Sequence, residues 1–218
     1  MPVDNDIYNR IGEAWWTDEQ PLALLRTGIN PPRLAYFRSV LAQLGIDPCA
    51  RALLDIGCGG GFLSEEWNRL GCRVTGLDPS VGALSAASAH ARDAGLDITY
   101  DQGSGEHLPY GSNSFSIVSC CDVLEHVTDL DRVIAEAARV LQPGGVFLYD
   151  TINRTWQSQL ALITFAQNWP PTRVLPFRLH DFRLFIKPVE LTVILKRHGL
   201  ESSGTVGLRP TASSLSTG

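Results

Sequence analysis

The stretch LLDIGCGGG at residues 53–61 is an apolar strand carrying Asp55 that runs directly into a glycine turn. Gly57, Gly59 and Gly61 permit the positive φ values of a tight strand-to-helix turn, and their missing side chains would let a ligand lie against bare backbone amides. Working outward, the next apolar run ends in GLDP at 76–79, so a second acid, Asp78, closes the second strand. A glycine turn by itself is a common βα connection. The pairing with Asp55 and Asp78 makes it a candidate nucleoside pocket.

The spacing disfavours the usual dinucleotide turn, which needs G-x-G-x-x-G to seat a pyrophosphate at the helix N-terminus, and leaves a Rossmann dehydrogenase as a distant third reading. Here the sixth position is Phe62. An acid just before the turn suits an ammonium or a hydrogen-bond donor rather than a phosphate, and a carboxylate at Asp78 suits the two hydroxyls of a ribose. Both features point to S-adenosyl-L-methionine.

Around this motif the apolar runs alternate with helical stretches. Strands are expected at 51–56, 73–78, 97–101, 115–121 and 145–151, and helices at about 62–70, 80–94 and 129–141, with Gly71, Gly95 and the Pro143-Gly144-Gly145 turn as stops. The fold class is therefore α/β, a Rossmann-like, doubly wound, mostly parallel sheet with helices on both faces. Ligands of such sheets bind at the carboxyl ends of the strands, which gathers Gly57, Asp78, Ser104, Gly105 and residues 121–126 around one crevice. One domain is expected over 1–218: a helical cap at 1–48 lying over the crevice, with its second helix from about Pro31 to Leu44, a cofactor core at 49–151, an insertion at 152–186, a helix within 187–201 and a frayed tail at 202–218. The insertion, rich in Leu160, Ile163, Phe165 and Trp169 and followed by Arg173 and Arg178, is too short to span a bilayer. It reads as a lid, or as an amphipathic face over 156–179 that touches a membrane or a lipid-like substrate.

A formal net charge of −5 with no Lys/Arg block argues against a nucleic-acid partner. The N-terminus shows no basic region followed by an apolar one, and five cysteines without framework spacing fit a reducing compartment. A cytoplasmic protein is expected, with 156–179 as the place for peripheral contact at the inner face of the membrane.

Several strings carry a family resemblance. LDIGCGGG, GLD, LEHV at 124–127 and LQPGG at 141–145 are those of the class I S-adenosylmethionine-dependent methyltransferases. Outside that shared core, Trp15-Trp16, INPPRL at 29–34, TINR at 151–154, HDF at 180–182 and FIKP at 185–188 resemble the ubiquinone-biosynthesis O-methyltransferases that act on polyprenylated catechols. The resemblance implies an O-methyltransferase with a small-molecule acceptor, and contact with the cofactor through Arg33, Gly57, Asp78 and Cys121. Arg33 would offer a forked donor to the methionine carboxylate. Some relatives bind a divalent cation through residues matching Asp122, Glu125 and His126. If that stretch is helical the three share one face and an oxygen-rich set suits Mg²⁺; without metal, His126 serves as a general base or lines the pocket. Trp16, Trp156 and residues 160–179 would shape the acceptor side.

The chain also departs from the pattern. Ser104 and Ser116 stand where many class I members carry Asp, and the closing antiparallel hairpin that the resemblance implies is expected to be incomplete. Two alternatives follow: a class I methyltransferase for another small aromatic or lipid acceptor, and a cofactor-binding, non-catalytic subunit of a biosynthetic assembly.

Overall fold

A computed structural model describes residues 5–17, 22–173, 175 and 179–208. Five strands form one sheet: β1 (Ala52–Ile56), β2 (Arg73–Asp78), β3 (Ile98–Gln102), β4 (Phe115–Cys120) and β5 (Leu141–Tyr149). Their order is β3-β2-β1-β4-β5 and every pairing is parallel. The chain thus leaves β1 in one direction and resumes on its other side at β4, and the crevice opens at their carboxyl ends, where the strand order reverses.

Alternation along β1 explains how the sheet is sandwiched. Leu54 and Ile56 face a core shared with α5 (Leu130–Val140) and α7 (Pro188–Arg197), while Leu53 faces Leu34, Phe37, Leu63 and Trp67 from the helices on the opposite face. Those helices are α2 (Asn30–Gln43) and α3 (Phe62–Arg69). Trp67 is wholly buried; truncating it to Ala would cost ~3–5 kcal/mol. A third cluster joins Trp15, Leu22 and Phe62 to Ala83 and Ala86 of α4 (Val81–Asp93), so small residues on α4 make room for large ones from the N-terminal segment. That segment comprises α1 (Ile7–Ile11) and a 3₁₀ turn (Gly12–Trp16). Helix starts follow local chemistry: Ser80 Oγ accepts from Ala83 N–H and Asp129 from Arg132 N–H.

The elements expected from the sequence are present within a few residues, with two differences. β5 starts at Leu141 rather than after the Pro-Gly-Gly turn, because its register with β4 shifts between Phe115 and Ile117 and so absorbs the extra residues. Pro143 is tolerated there because β5 has a neighbour on one side only. The insertion is a short α6 (Trp156–Ser158), a wide π-type coil (Gln159–Asn168) and a 3₁₀ turn (Pro170–Thr172). Arg178 and the tail beyond 208 lie outside the described residues, and 201–208 has no regular structure. Among the described residues no helix is long and apolar enough to cross a membrane.

Candidate active site

The glycine turn between β1 and α3 has φ of 70° at Gly57, 52° at Gly59 and 85° at Gly61, as the sequence requires. Its amides, however, are not bare. Gly57 and Cys58 donate to Leu77 O, Gly61 to Cys58 O, and Gly59 to Asp78 Oδ2 at 2.9 Å. A buried turn must satisfy its own donors, so four of its N–H groups bind protein. The space left by the missing side chains is also used from within. A Cβ on Gly57 would fall 2.2 Å from Val123, one on Gly61 2.4 Å from the Tyr100 hydroxyl, and one on Gly60 2.6 Å from the Trp15 ring. Trp16 donates to Gly60 O at 3.0 Å and stacks on His90.

Asp55 and Asp78 hold this turn. Asp55 is 2 % exposed and accepts from Ser64 Oγ at 2.6 Å and from Ser119 Oγ. Burial raises its carboxyl to about 6 against the help of both hydroxyls. Asp55 thus lies beneath the crevice floor. Asp78 accepts from Gly59 N–H and, at 2.8 Å, from Ser80 N–H, with burial again pushing its carboxyl upward. Ser104 follows β3 and donates to Glu106, and Gly105 packs on Ile56, where a Cβ would come within 3.1 Å. Cys121 follows β4, buried, its thiol raised well above its ordinary range by that burial.

Past β4 the chain does not form a helix. Asp122 takes the left-handed conformation, φ 57°, and its half-buried carboxylate pairs with the buried Arg33. Arg33, 4 % exposed, sets its NH2 2.7 Å from Asp122, its Nε 2.5 Å from Asp150 and its NH1 2.6 Å from Asn30. The expected trio Asp122, Glu125 and His126 is therefore not assembled. The groups that do converge are Glu125, His126 and His180, one ligating atom from each lying within 4.8 Å of the others. His126 and His180 have ring centroids 5.1 Å apart, and the Nδ1 of each is buried without a hydrogen-bond partner among the described residues. Glu125 accepts from Thr151 Oγ1 at 2.9 Å; burial and the nearby Asp122 raise it to about 8. Burial first, then His180, lowers His126 to about 3, and burial lowers His180 to about 4, so both rings are neutral at physiological pH.

The N-terminal segment covers this crevice. Tyr8 stacks on Trp15 at 6.0 Å and meets the His126 ring edge-on at 6.2 Å, and burial, then Asp122, Glu125 and Asp78, raises its hydroxyl. Trp15 Nε1 donates to Tyr8 O, and Asn9 Oδ1 accepts from Ser80 Oγ and Gly82 N–H. Tyr8, Asn9, His180 and Asp150 are residues that sequence reasoning did not select. His180 lay within a string already singled out, HDF, and a histidine there is a signal for it; nothing in the local pattern distinguishes Tyr8.

A parallel sheet with its strand order reversed beside a D-x-G-x-G-x-G turn, closed by an acid at the end of the second strand, defines a Rossmann-like, class I S-adenosylmethionine-dependent methyltransferase. A family model described as a methyltransferase domain matches residues 54–149. The ubiquinone biosynthesis O-methyltransferase of Methylobacterium sp. (strain 4-46) is 37% identical over 211 residues, which cover 92% of this chain and 82% of the relative. Two solved structures share the fold: the PH0226 protein from Pyrococcus horikoshii OT3 (TM-score 0.63, 19% identity, 88% of each chain covered) and an S-adenosylmethionine dependent methyltransferase from Mesorhizobium loti (TM-score 0.55, 22% identity, 74% of this chain and 79% of that one). The chain belongs to the ubiquinone biosynthesis O-methyltransferase family. It is an enzyme, an O-methyltransferase that uses S-adenosylmethionine.

Proposed function

We propose that the acceptor is a polyprenylated catechol, one hydroxyl of which is methylated in ubiquinone biosynthesis, and that His126 receives its proton. The observation that carries this is a neutral, half-buried imidazole whose buried Nδ1 has no partner among the described residues, placed beyond the carboxyl end of β4 and beside Glu125. When bound, S-adenosylmethionine supplies a methyl group already activated on a positively charged sulfur. The protein's task is to align the acceptor oxygen in a dry pocket and to take up one proton. Asp78, held by two backbone amides, keeps lone pairs for ribose hydroxyls; Gly57, Gly59, Gly61, Ser104, Gly105 and Cys121 complete the cofactor wall, with Asp55 fixing the turn from below. Arg33 holds Asp122 and Asp150 in place, and its guanidinium keeps one further N–H on each terminal nitrogen for the methionine carboxylate.

Mg²⁺ fits poorly. Asp122 is committed to Arg33, and the groups that stand together offer two imidazoles and one carboxylate, whereas Mg²⁺ favours an octahedron of oxygens. No step is routed through it. Incubation of the enzyme with S-adenosylmethionine and a prenylated catechol, in EDTA or in Mg²⁺, tests both points by mass spectrometry. Product in both buffers supports the reading, product in Mg²⁺ alone would reinstate the ion, and cofactor binding without product would favour another acceptor.

The insertion supplies the apolar end. Trp156 and Trp169 are 68% and 49% exposed, and Leu160 is 43% exposed. Such a face suits peripheral contact with the membrane that holds a prenyl tail. Sedimentation with vesicles containing anionic lipid should carry down the wild type and much less of a Trp156→Ser/Trp169→Ser variant; equal recovery would reduce the segment to a lid.

A further inference from the structure

Gln167 is the one buried residue of the Gln159–Asn168 coil, whose apolar residues are by contrast exposed or only half-buried. A polar side chain goes inside when its hydrogen bonds are met there. Gln167 meets both with one residue: His180 N–H donates to its Oε1 at 2.7 Å, and its Nε2 donates to His180 O at 3.1 Å. The pair works like one rung of a sheet, with a side-chain amide in place of a backbone one. It fixes where the main chain of His180 runs, and Phe185, edge-on at 6.0 Å, limits the ring.

The ring so fixed stands beside His126, and neither Nδ1 is satisfied by the described residues. A buried polar atom left without a partner destabilises the fold unless a ligand satisfies it. Two such atoms in one small space match a ligand that brings two polar groups on neighbouring atoms. The ortho-hydroxyls of a catechol are such a pair, one for each imidazole.

We propose that His180 is a second acceptor-binding residue, which holds the catechol hydroxyl that is not methylated while His126 faces the one that is, and that Gln167 is the positioning residue that sets it. This deepens the acceptor reading above and rests on it. The insertion then couples the apolar tail site to the choice of hydroxyl, because the coil that meets the tail also carries Gln167.

The test uses the full chain saturated with the demethylated cofactor product. A short-chain prenylated catechol is titrated in while the ring resonances of labelled histidines are followed, and steady-state kinetics are measured for the wild type, His180→Ala, Gln167→Met and the double variant. Resonances of both His126 and His180 should move. Each single variant should raise KM for the catechol about tenfold or more, as expected for a lost buried hydrogen bond, with cofactor affinity by calorimetry unchanged. The double variant should be no worse than His180→Ala, since Gln167 acts through that ring. A silent His180 resonance while that of His126 shifts, an unaltered KM in a folded His180→Ala, or additive losses in the double variant would each overturn the proposal. If neither resonance moves and the wild type makes no methylated product, the acceptor reading has failed and this assignment fails with it.

Discussion

The two ends of the crevice treat their polar groups in opposite ways. At the cofactor end all four oxygens of Asp55 and Asp78 accept a hydrogen bond, from Ser119, Ser64, Ser80 and Gly59. At the acceptor end, among the described residues, Glu125 has one hydroxyl partner, and the Nδ1 atoms of His126 and His180 have none. The first arrangement is a finished support: it spends its hydrogen bonds on the shape of a turn. The second keeps buried polarity unpaired at a cost in stability, which is how functional groups are held ready for a ligand.

The largest break of this contrast is His126→Ala. It should retain cofactor binding by calorimetry while turnover falls about 10²- to 10⁴-fold, the usual contribution of a positioned acid or base. Equal loss of binding and turnover in a folded protein would remove the distinction between the two ends. Gly57→Ala strikes the finished end. With φ at 70° and Val123 2.2 Å from the new Cβ, it should cost about 1–3 kcal/mol in urea melts and weaken cofactor binding. An unchanged midpoint would mean that the turn is not rigid.

A subtler test uses pH. Asp55 titrates in the fold at about 6, above its ordinary 3.8, because burial penalises its charge. Its contribution to stability is complete below the unfolded value and is lost as pH rises through about 6. Asp55→Asn lacks that loss, so the stability gap between wild type and variant should narrow from about pH 4 to about pH 7. A widening gap would show that the two hydroxyls outweigh burial. Arg197→Ala sits far down the scale. Its ion pair with Asp131 is between side chains 60% and 45% exposed, and its loss should leave the urea midpoint essentially unchanged. A clear shift would show that the docking of α7 relies on this pair as well as on Leu191 and Leu195.

The strands and most helices were legible because each is a local pattern. Leu53 to Ile56 alternate between two cores, and the glycines demand a turn whatever surrounds them. The acceptor site was legible only in part. Glu125 and His126 were found from LEHV, but Asp122, three residues earlier, was grouped with them on the assumption of a helix. The left-handed turn at Asp122 and the pull of buried Arg33 separate it from them. His180 takes its place from 54 positions beyond His126, a distance at which spacing carries no information.

The sequence by itself determined the parallel α/β sheet, the glycine turn with Asp55 and Asp78, and the methyltransferase family, because periodicity, turn chemistry and motif are properties of neighbouring residues. Only the tertiary structure decided that the turn's amides are occupied, that Tyr8 packs between Trp15 and His126, that Arg33 claims Asp122, and that Gln167 brings His180 to His126. These are outcomes of competition for partners among buried polar groups, and which partner wins depends on what the fold brings within hydrogen-bond reach.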